Sequence, residues 1–148
     1  MKKIFYLFPL LMALASGCQK SSMPVAANTG GPVGTFAGPF MYLHKHIKTG
    51  VIDTVKVNVI LTMQPTVGYK VTGDTATVHA GSYGTCIVNS TYNVINFNDV
   101  TYPATGAPTK THLNGVYQYA YDGTNFQLAV QNAPDTIALL YNLKRTGN

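Results

Sequence analysis

Alternation of apolar and polar residues, repeating every second position, recurs from about residue 34 to the end of the chain and constrains the fold more than any other feature. In VIDTVKVNVILTM, residues 51–63, the valines, Leu61 and Met63 fall on one face of an extended chain, and most polar residues fall on the other. Apolar residues at helical spacing are hardly seen. This pattern is typical of half-buried β-strands, so it predicts an all-β domain over residues 34–148.

Turn-forming residues divide this domain into about eight or nine strands. The clearest turns lie at Lys48–Gly50, Gly73–Asp74 and Asp122–Asn125, each between two alternating segments. The segment TATVHA, which follows the second of these turns, is predicted to form a short strand. A series of antiparallel hairpins with no helical crossover favours an up-and-down β-barrel, and a β-sandwich is the alternative.

The amino-terminal residues carry a different pattern, that of an exported and lipidated protein. Two lysines precede twelve uncharged residues, Ile4–Ala15, a run of the length of a signal-peptide core but too short to cross a bilayer as a helix. Small residues and then Cys18 follow, and this end resembles the lipobox of bacterial lipoproteins. The resemblance implies a signal peptide over residues 1–17 and fatty acyl chains on Cys18. The alternative is an ordinary secretory signal cleaved near Ala15.

Residues 18–33 are predicted to form the lipidated cysteine and a flexible linker, since they are rich in proline, glycine and small residues. Several acyl chains would anchor the protein firmly to a membrane. In lipoproteins, an aspartate after the acylated cysteine marks retention in the inner membrane, and here Gln19 and Lys20 follow instead. The resemblance therefore implies an outer-membrane protein facing the periplasm.

Charge and cysteine content exclude two classes of protein. Without Lys2 and Lys3, eight basic residues stand against five aspartates and no glutamate, so the mature net charge is +3. The basic residues are scattered, and nucleic-acid binding is not predicted. With Cys18 lipidated, Cys86 is the only other cysteine, which excludes a disulfide scaffold. Its alternating segment indicates a buried, inert thiol, and a reactive thiol is the alternative.

Two short motifs and the meander order support a more specific comparison. GTFAGPF, residues 34–40, occupies the position of the glycine-x-aromatic motif of lipocalins, and YNLKR, residues 141–145, ends in a basic pair that could cap a barrel. The domain resembles the small lipocalin-like, or calycin-type, lipoproteins of Gram-negative envelopes. The resemblance implies a β-barrel that binds a small hydrophobic molecule or lipid. A structural or interaction module with a filled core is the alternative.

The hairpin VYQYAYDGTNFQLAV supplies the candidate ligand contacts. If its turn has two or four residues, five large side chains share one face. Such a face could line a cavity and stack on a flat or lipidic ligand, or it could simply fill the barrel. The candidate residues are Tyr117, Tyr119, Tyr121, Phe126 and Leu128.

A pair of histidines predicts a metal site. His44 and His46 are two positions apart, so on a strand both imidazoles lie on one face, and His79 or His112 could supply a third ligand. The alternative is a solvated strand edge, because lysines flank the pair.

Catalysis is not predicted, and no cofactor is expected. Glutamate is absent, and four of the five aspartates lie in or beside predicted turns, leaving only Asp99 at a strand end. There is no Ser-His-Asp context and no phosphate-binding loop.

Three Asp-Thr-aliphatic segments match the O-glycosylation motif of some Gram-negative bacteria. The candidate acceptors are Thr54, Thr75 and Thr136. The alternative is that Asp-Thr simply starts a strand after a turn.

Overall fold

The computed structural model describes residues 31–64, 66–131 and 136–148, which form a closed antiparallel β-barrel. Each strand pairs with the next, and the last pairs with the first. The predicted all-β meander is confirmed, and the β-sandwich alternative is wrong. The eight strands are β1 (Gly34–Lys45), β2 (Ile52–Gln64), β3 (Gly68–Gly73), β4 (Tyr83–Asn89), β5 (Val94–Asp99), β6 (Gly115–Tyr121), β7 (Asn125–Gln131) and β8 (Ile137–Gly147).

The predicted signal peptide and Cys18 lie outside the described residues. Within the described residues, no helix has the length and apolar character needed to cross a bilayer.

The barrel has two unlike ends. The loop end carries four connections, those from β1 to β2, β3 to β4, β5 to β6 and β7 to β8. The terminal end carries the three remaining connections together with the start of β1 and the end of β8. The longest connections therefore lie at the loop end, where they can fold over the barrel opening.

Large side chains fill the barrel interior in layers that cross the strands. One layer, here called the floor layer, runs across β2, β1, β8, β7 and β6. Each of its residues pairs with the next across neighbouring strands, and each is less than 10% exposed. Eight strands enclose a space that side chains can just fill. The floor layer consists of Val57, Phe40, Tyr141, Leu128 and Tyr119.

The segment TATVHA does not form the short strand that its alternation predicts. Residues 75–78 form turns, and His79 makes only an isolated parallel bridge with Thr111. The amide of Ala80 donates to the carbonyl of Thr111, and the amide of Thr111 donates to the carbonyl of Val78, both at 2.8 Å. Because His79 is fully buried, this segment turns into the barrel at the loop end, beside the β5–β6 connection.

Arg145 caps the terminal end, as the closing basic pair predicts. Its guanidinium carbon lies 5.2 Å from the ring centre of Phe36 and 5.8 Å from that of Tyr121. The Nε atom donates to the Tyr121 hydroxyl at 3.1 Å. Lys144, in contrast, is exposed on the outer surface. The cap therefore joins β1, β6 and β8 through one cation and two aromatic rings.

Candidate functional site

An apolar row of side chains remains partly open at the loop end, and we call it the mouth row. It lies two positions beyond the floor layer along each strand, and therefore on the same inward face. Val55 is 43% exposed, and the other members are half-buried against the core. Cross-strand pairing makes the row continuous from β2 through β1 and β8 to β7. Its members are Val55, Tyr42, Leu139 and Val130.

His79 contacts the floor layer beneath the mouth row. Its Nε2 atom lies 2.8 Å from the Tyr141 hydroxyl, and its ring packs edge-on against Phe40 with 4.8 Å between centroids. Burial lowers the pKa of His79 to about 4, so the imidazole is neutral near pH 7. Its Nδ1 atom bonds to the carbonyl of Ala80 and must be the donor. The Nε2 atom therefore accepts a hydrogen bond from Tyr141.

Sequence reasoning missed His79 as part of this site because its burial depends on how the β3–β4 connection folds. The only signal was its position in an alternating segment, and that signal pointed to an ordinary strand. Burial also raises the pKa of Tyr141, which keeps its hydroxyl protonated as a donor to His79.

The hairpin residues predicted as ligand contacts face the barrel interior. Tyr121 pairs with Phe126 and Tyr119 pairs with Leu128, so the turn has four residues and the even-turn reading is the one observed. Tyr121 is half-buried, and the other four are buried. Their rings pack edge to face, as in the pair of Tyr119 and Phe126 at 6.3 Å. They fill the barrel interior, and their contact with a ligand stays a prediction.

One polar atom in the floor layer lacks a partner among the described residues. The hydroxyl of Tyr119 is buried and makes no hydrogen bond, and Tyr119 as a whole is 6% exposed. Burial raises the pKa of this hydroxyl, so it remains a neutral donor and acceptor. Buried polar atoms are usually hydrogen-bonded, which makes this hydroxyl a candidate contact for a polar group entering the barrel.

A second polar cluster braces the connections at the loop end. The carboxylate of Asp99 lies 2.6 Å from Nδ1 of His112 and accepts hydrogen bonds from Thr101. Burial alone would raise the pKa of Asp99, but hydrogen bonds from Thr101, His112 and Ser82 hold it below its usual value. Ser82 also accepts a hydrogen bond from the amide of Leu113 at 3.1 Å.

The order of groups in this cluster differs from that of a hydrolytic triad. Asp99 lies between Ser82 and His112, whereas in a triad the histidine lies between the serine and the carboxylate. The cluster therefore joins the β3–β4 and β5–β6 connections. Its sequence signal was the position of Asp99 at a strand end.

The histidine pair lies on the hairpin between β1 and β2, one row beyond the mouth row. His44 pairs directly with Asp53, and Nε2 of His46 lies 2.6 Å from Oδ2 of Asp53. Ligand atoms of these three residues lie within 4.8 Å of one another. His79 and His112, proposed from the sequence as third ligands, instead belong to the two clusters described above.

The three candidate glycosylation sites are all at the loop end. Thr54 is exposed on β2, whereas Thr75 and Thr136 are half-buried. The carbonyl of Thr136 accepts a hydrogen bond from the amide of Lys45 at 2.7 Å. Asp135 lies outside the described residues, and glycosylation stays a prediction.

No protein-family model, curated protein or solved structure matches this chain. The lipocalin-like interpretation therefore rests on the barrel itself, with its meander order and its closure between β1 and β8. A fold alone does not specify a ligand, because specificity depends on the side chains of the site, here those at the loop end.

Proposed function

We propose that this barrel binds a small, mainly apolar molecule or lipid chain at its loop end, and that acyl chains on Cys18 hold the protein to a membrane. The mouth row is the observation that carries the binding proposal. Its apolar side chains form a continuous inward-facing surface across four strands, and they stay partly exposed above the buried floor layer. Covering apolar surface of this kind gains roughly 25 cal/mol for each Å² removed from water.

The groups around the mouth row favour a ligand with one polar end. Tyr119 belongs to the layer directly below, and its hydroxyl, which has no partner among the described residues, is the group proposed to donate to or accept from the polar end of the ligand. His79 and Tyr141 satisfy each other and offer the ligand a neutral surface. A fatty acid or an amphipathic aromatic molecule has the required combination of an apolar body and a polar group.

Titration with lauric acid and with 8-anilinonaphthalene-1-sulfonate tests the binding proposal, using the chain from residue 19 onward. Val55→Glu places a charge in the mouth row and is expected to weaken binding at least about tenfold, or about 1.4 kcal/mol. Ile60→Glu is the matched control, since Ile60 lies on the outer face of the same strand and is 40% exposed, against 43% for Val55. Equal affinity of the two variants, or no binding by the unmodified chain, would contradict the proposal.

The membrane anchor is proposed from the lipobox-like sequence around Cys18, with the outer membrane facing the periplasm as its location. Protein extracted from membranes is expected to begin at Cys18 and to carry the mass of about three acyl chains. Cys18→Ser is expected to release the protein into the soluble periplasmic fraction. An unmodified cysteine, or cleavage near Ala15, would instead identify an ordinary secreted protein.

Beyond Gly84, β4 has no ladder partner on the β3 side among the described residues, and this edge favours the alternative, an interaction module. The amide of Val100 donates a hydrogen bond to the carbonyl of Tyr83. In an antiparallel ladder, alternate residues direct their backbone N–H and C=O groups toward the same neighbouring strand. Tyr83 faces β5, so Cys86 and Val88 direct their backbone groups away from β5. Among the described residues, β3 pairs with β4 only at Tyr83 and Gly84. Beside this edge, Ile87 is 70% exposed. A second copy could add its own β4 here.

Analytical ultracentrifugation distinguishes this alternative. A dimer that becomes monomeric in Ile87→Lys, together with no binding of either apolar probe, would favour the interaction module over the binding protein.

A further inference from the structure

We propose that the β1–β2 hairpin binds one Zn²⁺ ion through His44, His46 and Asp53, which we call the rim site. The three residues come from the two adjoining strands and the connection between them, and their ligand atoms lie within 4.8 Å of one another. The proposal is independent of the apolar ligand proposed above, because the rim site lies beyond the mouth row and uses none of its side chains.

The pairing of β1 with β2 determines the positions of the metal-binding side chains. His44 and Asp53 are directly opposite each other in the β1–β2 ladder, which places their Cβ atoms about 5 Å apart. His46 follows two positions later, and its ring lies 4.8 Å from that of His44. The hairpin backbone therefore brings two imidazoles and one carboxylate to one face without any contribution from distant parts of the chain.

Small movements of the three side chains would let them bind a metal. Zn²⁺ binds nitrogen and oxygen ligands at about 2.0–2.2 Å in tetrahedral geometry, which places the ligand atoms about 3.4 Å apart. Nε2 of His46 and Oδ2 of Asp53 lie 2.6 Å apart and would have to separate, whereas the ligand atoms of all three residues lie within 4.8 Å of one another. His46 and Asp53 are exposed and His44 is half-buried, so side-chain rotation can close the difference. Water would supply the fourth ligand.

The ligand types select the metal class. Two imidazoles with one carboxylate suit Zn²⁺ and neighbouring transition metals, whereas Ca²⁺ and Mg²⁺ require mainly oxygen ligands. Nε2 of His46 and Oδ2 of Asp53 already form a hydrogen bond, and the ion would take the place of the proton between them. Lys45 lies between the histidines in sequence but on the opposite face of the strand, where its charge points away from the site.

Calorimetric titration with ZnCl₂ tests the rim site, using the protein as its host produces it, purified without an oligohistidine tag. We expect one Zn²⁺ per chain, and we expect Asp53→Asn to weaken binding at least about tenfold. Asp74→Asn is the matched control, because Asp74 is an exposed aspartate at another turn of the same end. It is expected to leave the affinity unchanged. CaCl₂ is expected to give no saturable heat.

The double variant His44→Gln/His46→Gln separates this site from other zinc ligands. Loss of binding in this variant and in Asp53→Asn, with Asp74→Asn unaffected, supports the rim site. Unchanged zinc binding in the double variant would place the ion elsewhere and overturn the proposal. No saturable binding by the unmodified protein would also overturn it, whereas the apolar-probe titration would be unaffected by either result.

Discussion

Replacing Phe40 by alanine is expected to lower the free energy of unfolding by about 3–5 kcal/mol. Phe40 is fully buried in the floor layer, and its ring centre lies 4.8 Å from those of His79 and Tyr141. Removing the ring leaves a cavity between the barrel wall and the β3–β4 connection. Because the barrel wall and the β3–β4 connection are both closely packed, the surrounding side chains can fill this cavity only in part. Urea denaturation followed by far-ultraviolet circular dichroism measures the effect.

The neighbouring Met41→Ala variant is the control for this measurement. Met41 follows Phe40 on the same strand, faces outward and is only half-buried, so its loss is expected to cost less than about 1 kcal/mol. Similar destabilisation of the two variants would show that the alternation of faces along β1 does not govern packing here.

Between pH 6.5 and pH 4, the protein is expected to lose about 3 kcal/mol of stability through His79 alone, because burial lowers its pKa from 6.5 to about 4. In this range the unfolded chain binds a proton that the folded chain excludes. Stability from this group is therefore complete above pH 6.5 and falls as the pH drops toward 4. Asp99, whose pKa is held below its usual value, adds a further loss at still lower pH.

Urea denaturation at a series of pH values measures this slope, and a substitution assigns it. His79→Gln retains an acceptor for the Tyr141 hydroxyl but does not titrate, so the slope between pH 6.5 and 4 is expected to flatten. His46→Gln is the matched control, because it removes an exposed histidine instead of a buried one. A slope that survives in His79→Gln would assign the acid sensitivity to other groups.

The strands and the inward face of the β6–β7 hairpin could be predicted because both depend on local alternation. Tyr119 and Phe126 share a face in the sequence pattern and in the structure. The same alternation wrongly predicted a strand for TATVHA. Alternation indicates which side of a segment is apolar, but it does not indicate which residues pack against that side. His79 is covered by Phe40 and Tyr141, which lie far away in sequence.

The third member of the rim site shows a different limit. The predicted turn at Lys48–Gly50 places His44 opposite residue 53 or 54, depending on the centre of the turn. The structure pairs His44 with Asp53. A shift of one residue would reverse the face of every side chain on the second strand and remove Asp53 from the histidines. The sequence could therefore indicate the hairpin but not the register that joins its ligands.

Pairing between β1 and β8 affects the order in which the chain can fold. The barrel closes only when Phe36 meets Arg145 and Phe40 meets Tyr141, so the closing contacts span nearly the whole domain. Contacts of such long sequence separation form late, because the entropy of a large loop must be lost first. Until the last strand arrives, β1 and β7 expose open edges that can pair with other chains. A chain that crosses a membrane before folding would therefore need protection until its final residues emerge.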